Sequence, residues 1–156
     1  MGIEIERKFL INLDKWFPPD NGLIYCQGYL NTINGNTVRV RIVGNQGYLT
    51  LKGKTKGAKR TEFEYLIPLE DAEEMLNTLC DRPLIEKIRY KIVIGKLTWE
   101  IDEFLGDNQG LILAEVELQT ETQEISFPEW IGEEVTHDLR YYNSNLAKYP
   151  FSQWGE

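Results

Sequence analysis

Charged side chains recur two residues apart in seven of the eight segments that alternate like β-strands, beginning with Glu4, Glu6 and Lys8 in IEIERKF. Consecutive side chains of an extended strand point to opposite faces, so an i, i+2 pair lies on one face with its apolar neighbours on the other. A sheet turns its apolar side to a core and has no need to sort acids and bases strand by strand. Seven such strands concentrate many charges on one surface, and that surface is the main clue to function.

The alternation predicts strands at about 3–11, 23–33, 36–44, 47–54, 60–67, 84–94, 97–105 and 110–120. Turn signals at Asn34-Gly35-Asn36, Gly44 to Gly47, Gly95-Lys96 and Gly106-Asp107-Asn108 make sequential strands antiparallel neighbours. Leu69 to Leu79 has acids in its first turn and apolar residues at helical spacing, which predicts a helix packed on the sheet. A short helical turn is expected over Asp14 to Phe17, stopped by Pro18-Pro19, and a second helix over Asp138 to Lys148.

An eight-stranded antiparallel set tends to close into a barrel, which removes exposed edges and leaves an interior wide enough for a small ligand. Ile3, Ile5, Phe9 and Ile11 oppose Glu4, Glu6 and Lys8, and Val38, Val40 and Ile42 oppose Arg39 and Arg41. If helices cover the apolar outer face, the charged face is the lumen. The expected fold is therefore α+β: a closed eight-stranded antiparallel barrel with a charged lumen and a few helices outside, forming one domain over residues 1–156.

The 17 Lys and Arg against 25 Asp and Glu disfavour a nucleic-acid binder that relies on bulk positive charge. The charged N-terminus does not read as a secretory signal, and no apolar stretch approaches the ~20 residues of a membrane helix, so the cytoplasm is the expected compartment. Cys26 and Cys80 lack metal-ligand spacing and read as reduced, buried thiols.

Sorted by strand, the charged face has acidic walls (Glu4/Glu6, Glu62/Glu64, Glu100/Asp102, Glu115/Glu117) and basic ones (Arg39/Arg41, Lys52/Lys54, Lys87/Arg89/Lys91). Lys8 and Arg60 extend two of the acidic strands. Glutamates crowded in a lumen repel one another, so they must be protonated, paired with bases or bound to cations. Oxygen-only ligand sets suit hard ions such as Mg2+ or Mn2+. Converging Arg and Lys suit a polyanion, because guanidinium forks match phosphate oxygens.

The opening Glu4-x-Glu6-x-Lys8 resembles the ExExK signature of the CYTH superfamily, the triphosphate tunnel metalloenzymes. The similarity continues through Arg39-x-Arg41, Thr50-Leu51-Lys52-Gly53, Glu62-x-Glu64, Lys87-x-Arg89, Glu100-x-Asp102 and Glu115-x-Glu117, spanning residues 3 to 118. The resemblance implies an eight-stranded tunnel that binds a triphosphate with divalent metal and hydrolyses or rearranges it. It implies metal-binding roles for Glu4, Glu6, Glu62, Glu64, Glu115 and Glu117, with Glu100 and Asp102 as further acids beside them. Lys8, Arg39, Arg41, Lys52, Lys87 and Arg89 would hold phosphate oxygens, and Lys54 and Arg60 are added as phosphate candidates because KTKGAKR could cap the mouth. THDLRYYNSNLA is similar to the family's closing segment, in which a helix plugs one end.

Phosphoryl transfer needs positioning, charge neutralisation and an in-line nucleophile. The expected arrangement has two Mg2+ or Mn2+ ions, one holding the triphosphate against the bases and one activating a water. Glu6, Lys87 and Tyr29 are the catalytic candidates, the last two for proton transfer or the leaving group. The first functional expectation is hydrolysis of inorganic triphosphate, a small-molecule substrate. The alternatives are a thiamine triphosphatase, a class IV adenylate cyclase, or a non-catalytic polyphosphate- or nucleotide-binding module. His137 reads as a surface or capping residue, and Trp16, Trp99, Trp130 and Trp154 as packing residues.

Overall fold

The computed structural model describes residues 2–154. Its strands are β1 (Ile3–Ile11), β2 (Leu23–Leu30), β3 (Thr37–Val43), β4 (Gln46–Lys52), β5 (Lys59–Ile67), β6 (Ile85–Ile94), β7 (Leu97–Phe104), β8 (Ile112–Glu117) and β9 (Ile131–Glu134). The α-helices are α1 (Leu69–Thr78) and α2 (Asn143–Lys148). β2-β3-β4-β5 form one meander and β6-β7-β8 another; β2 pairs with β6, and β1 closes the ring by pairing with β5 and β8. All pairings are antiparallel. The expected eight-stranded barrel is present, with β9 added along β1.

Two-residue tips join β3 to β4 at Gly44-Asn45 and β6 to β7 at Gly95-Lys96, with Gly44 at φ +60° and Gly95 at φ +61°. That left-handed backbone matches the right-handed twist of the flanking strands and is strained for residues with a Cβ. Sequential strands are thus hairpin neighbours where the turns are tight. β1 and β2 are not neighbours, nor are β5 and β6, whose connection carries α1.

The two-residue period sets what each strand turns inward. Val40, Ile42 and Leu49 face out and meet Ala72 and Leu76 of α1. A second outer cluster joins Phe9, Trp99, Ile101, Ala114 and Val116 to Trp16 and Trp130, the three indoles meeting edge to face along with Tyr90. This cover comes from the short turn around residues 13–17 and the irregular segment 119–131, not from α-helices. The outer faces of Leu51, Phe63 and Tyr65 remain exposed. A third cluster lies at one end of the barrel: Tyr29, Ile85, Phe104 and Leu113 point inward there and meet Tyr141, Leu146 and Ala147. The inner face is therefore charged over most of its length and apolar at its closed end.

Several boundaries differ from expectation. The second strand stops at Leu30 and the last barrel strand spans only Ile112–Glu117. The predicted 138–148 helix is a 3₁₀ turn, Leu139–Tyr141, and the short α2, because Tyr142 is extended at φ −70°, ψ 134°. The 14–17 turn is a 3₁₀ turn over Leu13–Lys15. Strand β9 was unforeseen. Cys26 and Cys80 are free thiols, the first only half-buried, and His137 is exposed. Trp154 packs on Tyr141 and Phe151. No helix among the described residues is long and apolar enough to cross a membrane.

Candidate functional site

A cavity of about 210 Å³ runs down the barrel. Glu4, Glu6 and Lys8 of β1, Arg39 and Arg41 of β3, Lys52 of β4, Arg60, Glu62 and Glu64 of β5, Lys87 and Arg89 of β6, Glu100 of β7, and Glu115 and Glu117 of β8 all line it. One face of seven strands is thus gathered around one space, as their alternation requires. The volume is below the ~300–1,000 Å³ typical of drug-sized ligand sites. Thr136, Tyr142, Asn143 and Ser144 line the inner end.

Three expected members stand elsewhere. Lys54 is exposed, its stem against Gly35, because β4 ends at Lys52 and the two-residue alternation ends with it. Lys91 sits where the β6–β7 hairpin extends past β2, whose pairing with β6 stops at Leu23 and Arg89; its side chain is 55% exposed. Asp102 is buried behind the basic wall, its oxygens accepting from Lys87 Nζ at 2.7 Å and from Arg89 Nε and Nη2 at 2.7 and 2.8 Å. It is not presented to the cavity.

The two walls partly neutralise each other. Lys8 pairs with Glu115 at 3.0 Å, Arg39 with Glu64 at 3.1 Å, and Lys52 with Glu4 and Glu62 at 3.3 and 3.4 Å. Arg89 reaches Glu100, Asp102 and Glu115. Two lumen bases, Arg41 and Arg60, make no ion pair among the described residues, and of these Arg41 is the buried one. Its Nε donates to Gln27 Oε1 at 2.8 Å, and Tyr25 lies 4.9 Å from both the Arg41 and Arg89 guanidinium carbons. Burial, followed by Arg39 and Arg89, holds its pKa below the usual arginine value. Arg39 Nε is buried without a hydrogen-bond partner. The β3 wall therefore holds one uncompensated charge, on Arg41, and one unused donor, on Arg39, and an anion would satisfy both.

Across the lumen the deficit is reversed. Glu6 and Glu117 are directly opposed between β1 and β8, and neither has an ion-pair partner among the described residues. Burial, then Glu115 and Glu4, pushes Glu6 well above the usual carboxylate range. Burial, then Glu4, Glu62 and Glu100, raises Glu117. Glu100 and Glu115 are also cross-strand partners. Directly opposed like charges destabilise a sheet unless a cation lies between them. Among the described residues no three acids converge into a ready-made cation cage, so the fit to a divalent ion lies in the oxygen chemistry and in these crowded carboxyls, which a cation would let ionise.

Lys87 is fully buried between Asp102 and Asn143, to whose Oδ1 it donates at 2.8 Å. Burial pulls its pKa down to about 7, with Asp102 partly offsetting the effect. Arg89 and Lys87 keep Asp102 ionised against its own burial, and Lys8 and Arg89 do the same for Glu115. Tyr29 OH accepts from Gln27 Nε2 at 2.7 Å, which leaves its own proton free to donate. Tyr29 has its ring in the closed-end core and also lines the cavity. Sequence reading gave no individual role to Tyr25, Gln27, Tyr142 or Asn143. Tyr25 and Gln27 share the inward face with Tyr29 at two-residue spacing, so alternation could have found them. Nothing local marks Asn143.

Fold and site define a class: a closed β-tunnel with opposed acidic and basic walls, built to hold a polyanion together with cations. The CYTH domain model matches residues 2–149, and the chain belongs to that family. It is 48% identical over 156 residues, all of both chains, to an inorganic triphosphatase of Acetivibrio thermocellus. It is 39% identical over 153 residues to an inorganic triphosphatase of Nitrosomonas europaea, covering 92% of this chain and 96% of the relative. A crystal structure of an inorganic triphosphatase superposes with a TM-score of 0.65 at 35% identity, covering 94% of this chain and 95% of the other.

Proposed function

We propose that the protein hydrolyses inorganic triphosphate to pyrophosphate and phosphate in the tunnel, with Mg2+ or Mn2+ as cofactor, two ions being the expected number. The carrying observation is the unbalanced pair of walls: the unpaired guanidinium of Arg41, with the unused Nε donor of Arg39 beside it, faces the crowded carboxyls of Glu6 and Glu117, which have no base to pair with among the described residues. A polyanion chelated to hard cations supplies both missing charges at once. The two full-length relatives named inorganic triphosphatases support the same substrate.

In this reading Lys8, Arg39, Arg41, Lys52 and Arg89 grip phosphoryl oxygens, and Arg60 stands at the mouth, fixed by Gly53 O and Thr37 Oγ1. Glu4, Glu6, Glu62, Glu64, Glu100, Glu115 and Glu117 are the acids that would hold the metal. When bound, such ions neutralise the triphosphate and acidify a water ligand. The protein's own task is to hold the triphosphate so that a water can meet the terminal phosphorus in line with the bridging oxygen, the new P–O bond forming as the bridging P–O bond breaks. Lys87, its pKa pulled down to about 7 by burial, holds or delivers a proton at the leaving oxygen, with the Tyr29 hydroxyl linked to it through Gln27 and Asn143.

The test is phosphate release from tripolyphosphate, ATP and thiamine triphosphate with Mg2+, Mn2+ or EDTA. Tripolyphosphate should turn over fastest, EDTA should abolish activity, and Glu6→Gln should lower it by at least ~100-fold. Faster turnover of thiamine triphosphate, or cyclic AMP formed from ATP, would replace the proposed substrate; a ligand bound intact would make the tunnel a binding module.

A further inference from the structure

Asn143 is the first residue of α2 and comes from the far end of the chain, yet its side chain reaches the lysine at the heart of the tunnel. Its Oδ1 accepts from Lys87 Nζ at 2.8 Å and from Gln27 Nε2 at 3.3 Å. The same Gln27 amide bonds Tyr29 OH at 2.7 Å, and its carbonyl takes Arg41 Nε at 2.8 Å. One amide oxygen therefore ties together the lysine, the tyrosine and the uncompensated arginine, all on strands remote from α2 in sequence. α2 sits against β2 and β6, with Leu146 and Ala147 buried on Ile85, Phe104 and Leu113. That apolar seat fixes where the oxygen stands.

We propose that Asn143 is the positioning residue for Lys87, so that docking of the C-terminal plug and assembly of the proton-handling group are one event. An ammonium or amine nitrogen on a four-carbon stem is aimed only when enough of its hydrogen-bonding directions are taken. Asp102 takes one and Asn143 a second, which leaves the third for the cavity. A neutral acceptor suits the place. A second carboxylate beside Asp102 would add negative charge where a polyanion has to lie. The Asn143 amide nitrogen makes no hydrogen bond to the described residues, and Asn143 lines the cavity.

The inference rests on the triphosphate-hydrolysis reading, and the experiment separates the two. With tripolyphosphate and Mg2+, Asn143→Ala should lower kcat by about 10–100-fold, as loss of an orienting partner does, while KM stays within about threefold. In a Lys87→Met background the same substitution should cost less than about twofold, because the group it positions is already gone. Asn143→Asp keeps the acceptor oxygen, so it should retain most of kcat and raise KM through its added charge.

An unsubstituted protein that releases no phosphate from tripolyphosphate sinks the functional reading, and the positioning role with it. An active protein sinks the positioning role alone if Asn143→Ala leaves kcat within about twofold, or costs as much with Met at position 87 as with Lys. If Asn143→Ala fails to fold, Asn143→Asp decides the matter, and a loss of kcat above about tenfold there overturns the proposal.

Discussion

Arg41 and Asp102 show opposite ways of burying a charge. Arg41 has a neutral acceptor, an aromatic face and no counter-ion, so its charge is held ready for a ligand. Replacing it with Ala should lower kcat/KM for tripolyphosphate by about 10–100-fold, the worth of a charge-assisted contact, while leaving the urea midpoint of the ligand-free protein unchanged or higher. Asp102 is saturated by Lys87 and Arg89. Asp102→Asn removes the ion-pair partner of buried Lys87 and one of three carboxylates around Arg89, and should cost about 3–5 kcal/mol in urea unfolding. Most lumen charges were legible because strand alternation alone decides which face a residue takes. Lys54 was misplaced because alternation holds only while the strand continues, and Asp102 because alternation cannot tell a wall from what lies behind it.

At the scale of elements, α1 and the eight barrel strands announce themselves through periodicity. β9 does not. Its sequence IGEE is short and largely exposed, and it forms because β1 has an edge free beyond its pairing with β5, with Gly132 close against the Leu10 carbonyl. Arg7 bonds Glu134 at 2.7 and 2.9 Å and lies over Phe9 and Phe127. Glu134→Ala should cost no more than about 1 kcal/mol, since the pair is partly solvated. Leu76→Ala in α1 should cost about 2–5 kcal/mol by opening a cavity, with kcat/KM for tripolyphosphate unchanged because α1 touches only the outer face. The two C-terminal helical pieces looked like one helix because the break is tertiary in origin: Tyr142 turns to the cavity, its ring 5.1 Å from Lys8 Nζ.

Across the whole molecule the chain is acidic, yet its decisive charges are internal. Glu6 and Glu117 have raised pKa values, so the folded protein keeps protons that the unfolded chain loses near pH 4.3, a reference value of about that size. Stability must then fall as pH climbs from there through the raised folded values. Glu115 and Asp102 are depressed and act the other way, their contribution being lost only in acid. In EDTA, the melting temperature should decline between about pH 5 and neutrality, and Glu6→Gln should flatten the decline. Saturating Mg2+ should stabilise more at higher pH, because binding displaces protons. A pH-independent effect of Mg2+ in differential scanning calorimetry would count against a site at Glu6.

The apolar closure formed by Tyr141, Leu146 and Ala147 on Phe104 and Leu113 makes the tunnel a cul-de-sac, and a cul-de-sac imposes traffic order. Whatever is cleaved inside must leave by the way it came, last in and first out. The fragment held deepest, against Arg41 and Lys87, cannot depart until the outer one has cleared Arg60 and Glu62, so a deep product is also a blocker of the next round.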